Sequence, residues 1–492
     1  MIPTILLGRS GDILALLPAL YQDHVRTGEK IPLVVAKQFA EITEACSYIT
    51  PLIFDGDFRR IDLAKKMIGG NPVQVAGHKA LVAQVYGHNY RPEVKLDSFV
   101  KDILRLSGHD GIWRESPPLV LDRRNAEREA KLLSSTIKQK EFVIVFTEGH
   151  SSPFPHEQLL LEAVAGWFPD RQIIHNPRAE KLYDLVALME KAECIFATDS
   201  APLHLAQAVT TPVVALAANT PSNWHGSPMR KNHVAYSRYD AFPNELWTIG
   251  ENLKNIGRSK DILHVFSSYP MDEGARKRYD QASKTWTGYQ LGLPDSSLRR
   301  GSYGVPFIKD MVRLACLHAE PHTVIILHNS DIQFLDPTHA KIVQAVKERG
   351  SCFACRYDYH GEPRPMTRED SFEKYPGSDM FAFSRDWWVA NQNDMIDAVV
   401  GRECWDRIFR ELVKIKGGAD LTGEICHQRH ASQWEIERNS KGNLYNRGMA
   451  IQWLRKRNIP LEDLAGYVRN PLNRGYRRPN HGPYRTTYKR AK

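Results

Sequence analysis

Apolar residues in the first half of the chain fall into short runs separated by longer amphipathic stretches. Short apolar runs bounded by turn residues are typical of buried strands, and the stretches between them have helical spacing. We predict strands at residues 3–7, 31–36, 51–54, 73–76, 142–146, 172–175, 194–197 and 213–217. Because parallel strands need crossover helices, this alternation predicts an α/β fold with two Rossmann-like domains, residues 1–137 and 138–257.

The stretch from residue 194 to residue 217 shows the strand–helix–strand pattern most clearly. Its first apolar run breaks at Thr198, Asp199 and Ser200, and a helical apolar spacing follows before the second run. A turn in this position presents backbone N–H groups and the positive end of a helix dipole, which suits a phosphate group. Asp199 and Ser200 would equally serve as caps of the helix.

A second turn of interest follows the first predicted strand and reads Gly8-Arg9-Ser10-Gly11-Asp12. Glycine lets a backbone approach a ligand closely, although this turn lacks the GxGxxG pattern of dinucleotide-binding proteins. Asp12 stands where a helix N-cap is favoured.

Both turns resemble the ADP-heptose:lipopolysaccharide heptosyltransferases, a GT-B glycosyltransferase family. Its donor-site pattern, D-S-G-P-x-H-x-A followed by T-P-x-V-A-L-F-G-P-T, is matched by Asp199, Ser200, Pro202, His204, Ala206, Thr211, Pro212, Val214, Ala215 and Leu216. Its G-D-x-L-x-x-x-P-A-L run is matched by Gly11, Asp12, Leu14, Pro18, Ala19 and Leu20. Ala201 replaces the family's glycine, and Ala217, Ala218 and Asn219 replace Phe-Gly-Pro.

The resemblance implies a GT-B architecture in which Asp12 is the general base. It places Gly11, Thr198, Asp199, Ser200 and His204 near the donor phosphates, and it implies no cofactor for this half. The chain departs from the family after the strand at 142–146, where the lysine of a K-x-W-P segment is absent. The sequence there is EGHSSPFPH, in which His150 and His156 are partial substitutes without a permanent charge.

Residues 258–460 form a third predicted domain with a different pattern. Strands are expected at 262–269 and 323–328, and the second runs directly into Asn329-Ser330-Asp331. This arrangement resembles GT-A glycosyltransferases, which place a metal and nucleotide-sugar element after such a strand. Asn329 would then contact the donor, and Asp331 would hold Mn²⁺ or Mg²⁺. The alternative is a strand that simply ends at a turn.

Further residues of the third domain fit the GT-A resemblance. Asp379 is a candidate base near the acceptor, and the neighbouring Trp387 and Trp388 suit either a sugar or a core. The resemblance implies a late metal ligand, for which His427 is the candidate, and the spacing of His427 and His430 predicts a shared helical face. Glu424 lies in the same stretch, and Arg276, Arg278 and Lys284 follow the strand at 262–269.

The net charge of +9 is concentrated at the C-terminus, since residues 465–492 contain eight Lys or Arg and no acid. The rest of the chain therefore carries only +1. This tail, within a predicted segment 461–492, is also rich in tyrosine, which suits a polyanion such as nucleic acid. A solvated or docked terminus is the alternative interpretation.

Seven cysteines at irregular positions predict reduced thiols and a cytoplasmic protein, and Cys352 and Cys355 are interpreted as structural. The sequence contains no run of about 18 apolar residues, so no transmembrane segment is predicted.

Together, these features predict a glycosyltransferase of two modules, a GT-B half and a GT-A-like half. It would move a sugar from a nucleotide-diphosphate sugar to a hydroxyl acceptor, such as a surface glycan, a lipid-linked precursor or a hydroxylated DNA base. Both halves are candidates for activity, which would make the protein bifunctional. The missing lysine and the single acid at residues 329–331 support an alternative, a catalytically degenerate protein that binds a nucleotide sugar or a polyanion.

Overall fold

The computed structural model describes residues 2–56, 73–75, 77–82, 118–149, 152–218, 232–268, 272–294, 298, 306–402, 404–430 and 441–459. His150, Asn219 and the basic tail lie outside the described residues. The chain divides into two compact units, Met1–Gly250 and Glu251–Lys492.

Strands and helices alternate along most of the described chain. The strands are β1 (Thr4–Ile5), β2 (Ile31–Ala36), β3 (Ile49–Phe54), β4 (Val73–Val75), β5 (His78–Val82), β6 (Phe142–Phe146), β7 (Gln172–His175), β8 (Cys194–Thr198), β9 (Val213–Ala217), β10 (His233–Arg238), β11 (Ile262–Ser268), β12 (Tyr289–Pro294), β13 (Val324–His328), β14 (Ile332–Phe334), β15 (Ser351–Tyr359), β16 (Glu373–Ser384), β17 (Ala419–Asp420) and β18 (Ile425–Gln428). The α-helices are α1 (Ser10–Thr27), α2 (Ala126–Thr136), α3 (Glu157–Trp167), α4 (Leu185–Lys191), α5 (Ala201–Leu205), α6 (Phe242–Leu253), α7 (Glu273–Ser283), α8 (Ile308–His318), α9 (Thr338–Arg349), α10 (Arg385–Asn391), α11 (Trp405–Ile415) and α12 (Lys441–Lys456). Short 3₁₀ helices are Lys37–Ala45, Leu182–Asp184 and Ala206–Ala208.

The first sheet of the first unit has the strand order β3-β2-β1-β5-β4. Strands β1, β2 and β3 pair in parallel, as the alternating pattern predicted, and β5 is parallel to β1. Strand β5 itself was not predicted, and the predicted strand β4 pairs with it antiparallel. A tight turn at Gly77, whose φ is +79°, reverses the chain between them.

The second sheet of the first unit is wholly parallel, with the order β10-β9-β8-β6-β7. All residues of β6, β8 and β9 are buried, as expected for strands that helices cover on both faces. The α/β class with parallel sheets is therefore confirmed for this unit. Strand β10 was not predicted, because its sequence HVAYSR mixes polar and apolar residues.

The second unit contains a mixed sheet of order β12-β11-β13-β16-β15-β18-β14, with β17 beside β15. Strands β12, β11 and β13 are parallel, and β16 runs antiparallel between β13 and β15. Strand β18 pairs in parallel with β15 and antiparallel with β14. The carboxyl ends of β13 and β15 therefore share an edge of the sheet with the first half of β16.

Candidate functional sites

The turn after β1 holds the carboxylate of Asp12 at the start of α1. Arg9 is the N-cap residue of this helix, and its backbone N–H donates to Asp12 Oδ2 at 2.7 Å. Asp12 is thus the third residue of the helix and caps it from inside, rather than standing at the N-cap itself. A Cβ atom on Gly8 would lie 2.5 Å from Asp12 Oδ2, so glycine is needed there.

The turn after β8 contains the donor-site residues of the sequence signature. Thr198 is fully buried at the end of the strand, and Ser200 stands at the N-cap position of α5 without a side-chain capping bond. The Ser200 hydroxyl donates instead to the Thr198 carbonyl at 3.1 Å. The backbone N–H of Asp199 donates to the Tyr239 hydroxyl at 3.0 Å, so the residue that follows strand β10 helps to shape this turn.

The fold of the first unit brings these two turns together. A Cβ atom on Gly11 would lie 3.2 Å from His204 Cδ2 and 3.6 Å from Ala201 Cα. Helices α1 and α5 therefore pack closely through Gly11, and His204 is buried in this contact. The absence of a side chain at Gly11 allows the close approach of the two helices. The predicted close approach of this backbone to a ligand stays a prediction.

His156 is one of the two histidines in the segment after β6 that lacks the family's lysine, and it packs among aromatic rings. Its ring lies 5.8 Å from that of Phe154 and 6.1 Å from that of Phe242. Glu148, in the same segment, accepts two hydrogen bonds from Arg178. The two ring contacts of His156 are typical of a packing role.

The second unit gathers Asp331, His427 and His430 into one cluster. Asp331 Oδ2 lies 3.2 Å from His427 Nε2 and 3.1 Å from His430 Nε2, and the two nitrogens are 3.2 Å apart. Among the described residues, this is the one group of three His, Cys, Asp or Glu whose ligand atoms are close enough to share a metal ion. The cluster supplies one carboxylate and two imidazoles.

The two histidines do not share a helix, so that prediction is wrong. His427 lies on β18, opposite Ile332 of β14 and Asp358 of β15, and His430 follows the end of the strand. The sheet register places His427 beside the turn that carries Asp331.

Two carboxylates face opposite nitrogens of the His427 ring. Asp358 Oδ1 lies 3.1 Å from Nδ1, and Asp331 Oδ2 faces Nε2. Burial lowers the pKa of His427, but Asp331 and Asp358 outweigh this and raise it to about 9. Burial works against ionisation of Asp331 as well, yet His427 and His430 hold the pKa of Asp331 well below its usual range. The two carboxylates therefore favour the protonated, cationic form of the His427 ring at neutral pH.

A chain of polar contacts leads from this cluster to the predicted base Asp379. Arg356 donates from Nε to Asp358 Oδ1 at 2.8 Å and from Nη1 to Asp379 Oδ1 at 3.1 Å. Asn329 Nδ2 donates to the same Asp379 oxygen at 2.8 Å. Asp379 Oδ2 is buried and has no hydrogen-bond partner in the part of the chain that the structure describes.

Asp406 joins this edge from the first turn of α11. Its Oδ2 accepts the Ser378 backbone N–H at 3.3 Å, and burial together with the charge of Asp379 raises the pKa of Asp406. Sequence reasoning missed Asp406, Arg356 and Asp358. The only signal for the last two is their i, i+2 spacing, which places them on one face of a strand.

Three other predicted residues of the second unit, Trp388, Arg278 and Glu424, have packing or supporting contacts. Trp388 is buried against Phe383 and Phe409, with ring centroids 5.7 and 6.0 Å away, which favours the core interpretation. Arg278 Nε lies 3.8 Å from Asp331 Oδ2. Glu424 accepts from Lys341 and Arg368 and is not part of the cluster.

Cys352 and Cys355 are buried free thiols, as the structural interpretation of the CxxC expected. In the described part of the chain, no helix has the length and apolar character needed to span a membrane.

Comparison with known proteins bears on the first unit. Residues 161–244, which include the turn after β8, match the profile of glycosyltransferase family 9 (heptosyltransferase). No curated protein matches the chain. The family match supports a glycosyltransferase, in agreement with the prediction from the signature.

Several solved structures are similar to about half of the chain. A family 9 glycosyl transferase from Veillonella parvula is 16% identical with a TM-score of 0.35, and the match covers 52% of this chain and 89% of that one. E. coli ADP-heptose lps heptosyltransferase II is 13% identical with a TM-score of 0.35, covering 52% and 98%. E. coli heptosyltransferase WaaC with ADP is 12% identical with a TM-score of 0.33, covering 51% and 98%.

Proposed function

We propose that the chain transfers a sugar from a nucleoside-diphosphate sugar to a hydroxyl acceptor, and that each unit contains a site for this reaction. The observation that carries the proposal is the packing of Gly11 against His204. It joins the turns after β1 and β8, and the second of these lies in the segment that matches the glycosyltransferase family.

In the first unit, Asp12 is the proposed base. The Arg9 N–H fixes one carboxylate oxygen, which orients the group at the start of α1. Asp12 would take the proton of the acceptor hydroxyl as that oxygen bonds to the anomeric carbon and the nucleoside diphosphate leaves. Gly11, Thr198, Asp199, Ser200 and His204 would line the donor site, and no metal is proposed here.

In the second unit, we propose that Asp331, His427 and His430 hold a divalent ion. The donor set fits, because the three ligand atoms converge and Asp358 orients His427 through its other nitrogen, as carboxylates do behind metal-bound histidines. Of the two ions suggested by the sequence, Mn²⁺ is favoured over Mg²⁺, which prefers oxygen ligands. Such an ion, when bound, would neutralise the charge of the leaving diphosphate.

The proposed roles of the other polar residues follow from their contacts. Asn329 holds Asp379 and would face the donor, while Asp379 is the proposed base of this unit. Asp406 is a second carboxylate on the same edge, and its raised pKa is the property expected of a base that works near neutral pH. Arg356 links Asp358 to Asp379 and so couples the metal ligands to the base.

The same proposal includes four further points: the GT-A-like character of the second unit, activity of both units, a cytoplasmic location and a polyanion-binding tail. The mixed sheet, with Asp331, His427 and His430 grouped near the carboxyl end of β13, supports the first of these. A surface glycan, a lipid-linked precursor or a hydroxylated base in DNA would be the acceptor.

A nucleotide-sugar-binding protein without turnover is the competing function. It is favoured by the two hydrogen bonds that Asp379 Oδ1 already accepts, from Arg356 and Asn329, and by the missing lysine after β6.

The test is release of nucleoside diphosphate from a panel of nucleotide sugars, with Mn²⁺, Mg²⁺ or EDTA. Metal-independent release that is lost in Asp12→Asn assigns turnover to the first unit, and EDTA-sensitive release lost in Asp331→Asn assigns it to the second. Asp55→Asn and Asp261→Asn are matched controls, since both side chains are largely exposed. Calorimetric binding of a nucleotide sugar without release, with or without acceptor glycans, would instead support the competing function.

A further inference from the structure

Three histidines form a hydrogen-bonded row behind the turn that carries Asp331. His264 Nδ1 lies 2.9 Å from His328 Nε2, and His264 Nε2 lies 3.2 Å from His339 Nε2. At the inner end, His328 Nδ1 lies 2.8 Å from the carbonyl oxygen of Asn329. His264 and His328 are buried, and the Trp286 ring stacks on His264 with centroids 5.5 Å apart.

The carbonyl at the inner end determines where His328 carries a proton, and in neutral rings this sets the direction of the whole row. A carbonyl oxygen only accepts, so His328 must carry a proton on Nδ1, and in a neutral ring its Nε2 is then an acceptor. His264 consequently donates from Nδ1 to His328 and accepts at Nε2 from the Nε2–H of His339. This direction of donation requires His328 and His264 to be neutral, because a protonated imidazole has no acceptor nitrogen.

The surroundings favour neutral rings. Burial lowers the pKa of both His328 and His339 to about 4, and it lowers the pKa of His264 well below the usual value. All three rings are therefore uncharged at neutral pH, and the row has a single direction of donation, from His339 to Asn329.

The same Asn329 carbonyl closes the turn that carries Asp331. It accepts the backbone N–H of Ile332 at 3.3 Å, so residues 329–332 form a turn with Asp331 inside it. Trp286 Nε1 also donates to the Ile332 carbonyl at 2.7 Å. The row and the tryptophan thus hold both ends of the turn from the buried side.

We propose that His264, His328 and His339 are positioning residues, which fix the Asn329 carbonyl and thereby hold Asp331 in the orientation that binds a divalent ion. This inference rests on the proposed metal role of Asp331. None of the three histidines belongs to the cluster of Asp331, His427 and His430, and both nitrogens of His264 and of His328 are used within the row.

The first test reads the protons directly in the wild-type chain by ¹⁵N NMR of histidine-labelled protein. Long-range couplings should show the Nδ1–H tautomer for His264 and His328 and the Nε2–H tautomer for His339. Signals are assigned by single His→Asn variants. A different tautomer, or a charged ring, at any of the three at neutral pH overturns the proposal.

The second test compares two variants of His328, each of which keeps a polar group near only one of the two ring nitrogens. In His328→Asn the amide NH₂ stands near the position of Nδ1 and still donates to Asn329, whereas His328→Gln places its amide near Nε2 and loses that donor. Mn²⁺ binding, followed by electron paramagnetic resonance of the free ion, should weaken about tenfold or more in His328→Gln and little in His328→Asn.

Equal Mn²⁺ affinity in both folded variants would reduce the row to a structural role and overturn the proposal, whatever the loss in thermal stability. If His328→Gln does not fold, His339→Gln, which keeps a donor near Nε2, is compared with His339→Leu, which has none. Wild-type protein that binds no Mn²⁺ refutes the metal site and this role together, whereas wild-type binding with unaffected variants refutes the role alone.

Discussion

Replacing Asp358 by asparagine removes the negative charge beside His427 Nδ1 and nearly keeps the shape of the side chain. In this variant, D358N, the amide oxygen would stay close to His427 Nδ1. Asp358 Oδ1 now lies 3.1 Å from that nitrogen. Asp358 also accepts from Arg356, which would keep its second contact to Asp379. The substitution therefore removes a negative charge while it leaves the packing of β15 against β18 in place.

The expected loss follows from the role of an outer-shell carboxylate. Removing such a partner weakens metal binding about 10- to 100-fold, or about 1.4 to 2.7 kcal/mol. Since the amide oxygen of D358N still accepts from Nδ1–H, we expect the lower end, about tenfold. One effect opposes this loss: Asp358 helps to raise the pKa of His427 to about 9, so its removal makes deprotonation of Nε2 easier.

The assay is Mn²⁺ titration at pH 7 and pH 8.5, with Asp261→Asn as the exposed control in the same unit. The loss of Mn²⁺ affinity in the variant should be larger at pH 8.5 than at pH 7. At the higher pH fewer wild-type His427 rings must lose a proton before the metal binds, so the variant gains less from its lower His427 pKa. An affinity equal to wild type at pH 8.5, in a variant that is folded by thermal denaturation, would refute the role of Asp358 behind the metal site.

Three other predictions follow from the contacts of the two units. Because the folded-state pKa of His427 is raised to about 9, its contribution to the stability of the metal-free protein is complete below about pH 6.5 and is lost as the pH rises through 9. The slope of Tm against pH between 7 and 9 should therefore be steeper in wild type than in His427→Gln, and equal slopes would contradict this. Gly8→Ala should displace Asp12 from the Arg9 N–H and lower metal-independent nucleotide release, whereas Gly166→Ala, which meets no atom within 4 Å, should not. Burial raises the pKa of the Cys46 thiol to about 12, so a thiol reagent at pH 8 should label it only after denaturation.

The order of strands and helices in the first unit could be predicted from the sequence because burial on both faces leaves a local pattern. Strands β6, β8 and β9 are continuous apolar runs, and each lies where the runs were predicted. Strand β10 escaped prediction since His233, Ser237 and Arg238 interrupt its apolar pattern, although the first two are buried. The antiparallel pairing of β4 depends on a turn rather than on periodicity.

The candidate residues of the second unit were only partly visible in the sequence. Asp331 was predicted because it follows the apolar strand β13, and its role in binding a metal stays a prediction. His427 and His430 were singled out, but their spacing predicted a helix where the structure has a strand. Local spacing cannot distinguish the two when the stretch is short and its partners are distant.

What the tertiary structure alone decided is which residues meet. His427 is 69 residues from Asp358 and 96 from Asp331 along the chain, and only the register of β18 between β15 and β14 brings the three together. In the same way, Gly11 reaches His204 through the packing of α1 against α5. The sequence determined the chemical groups and most of the elements, since those depend on local composition and periodicity. The contacts depend on strand pairing and burial between distant segments, which no single stretch of the sequence encodes.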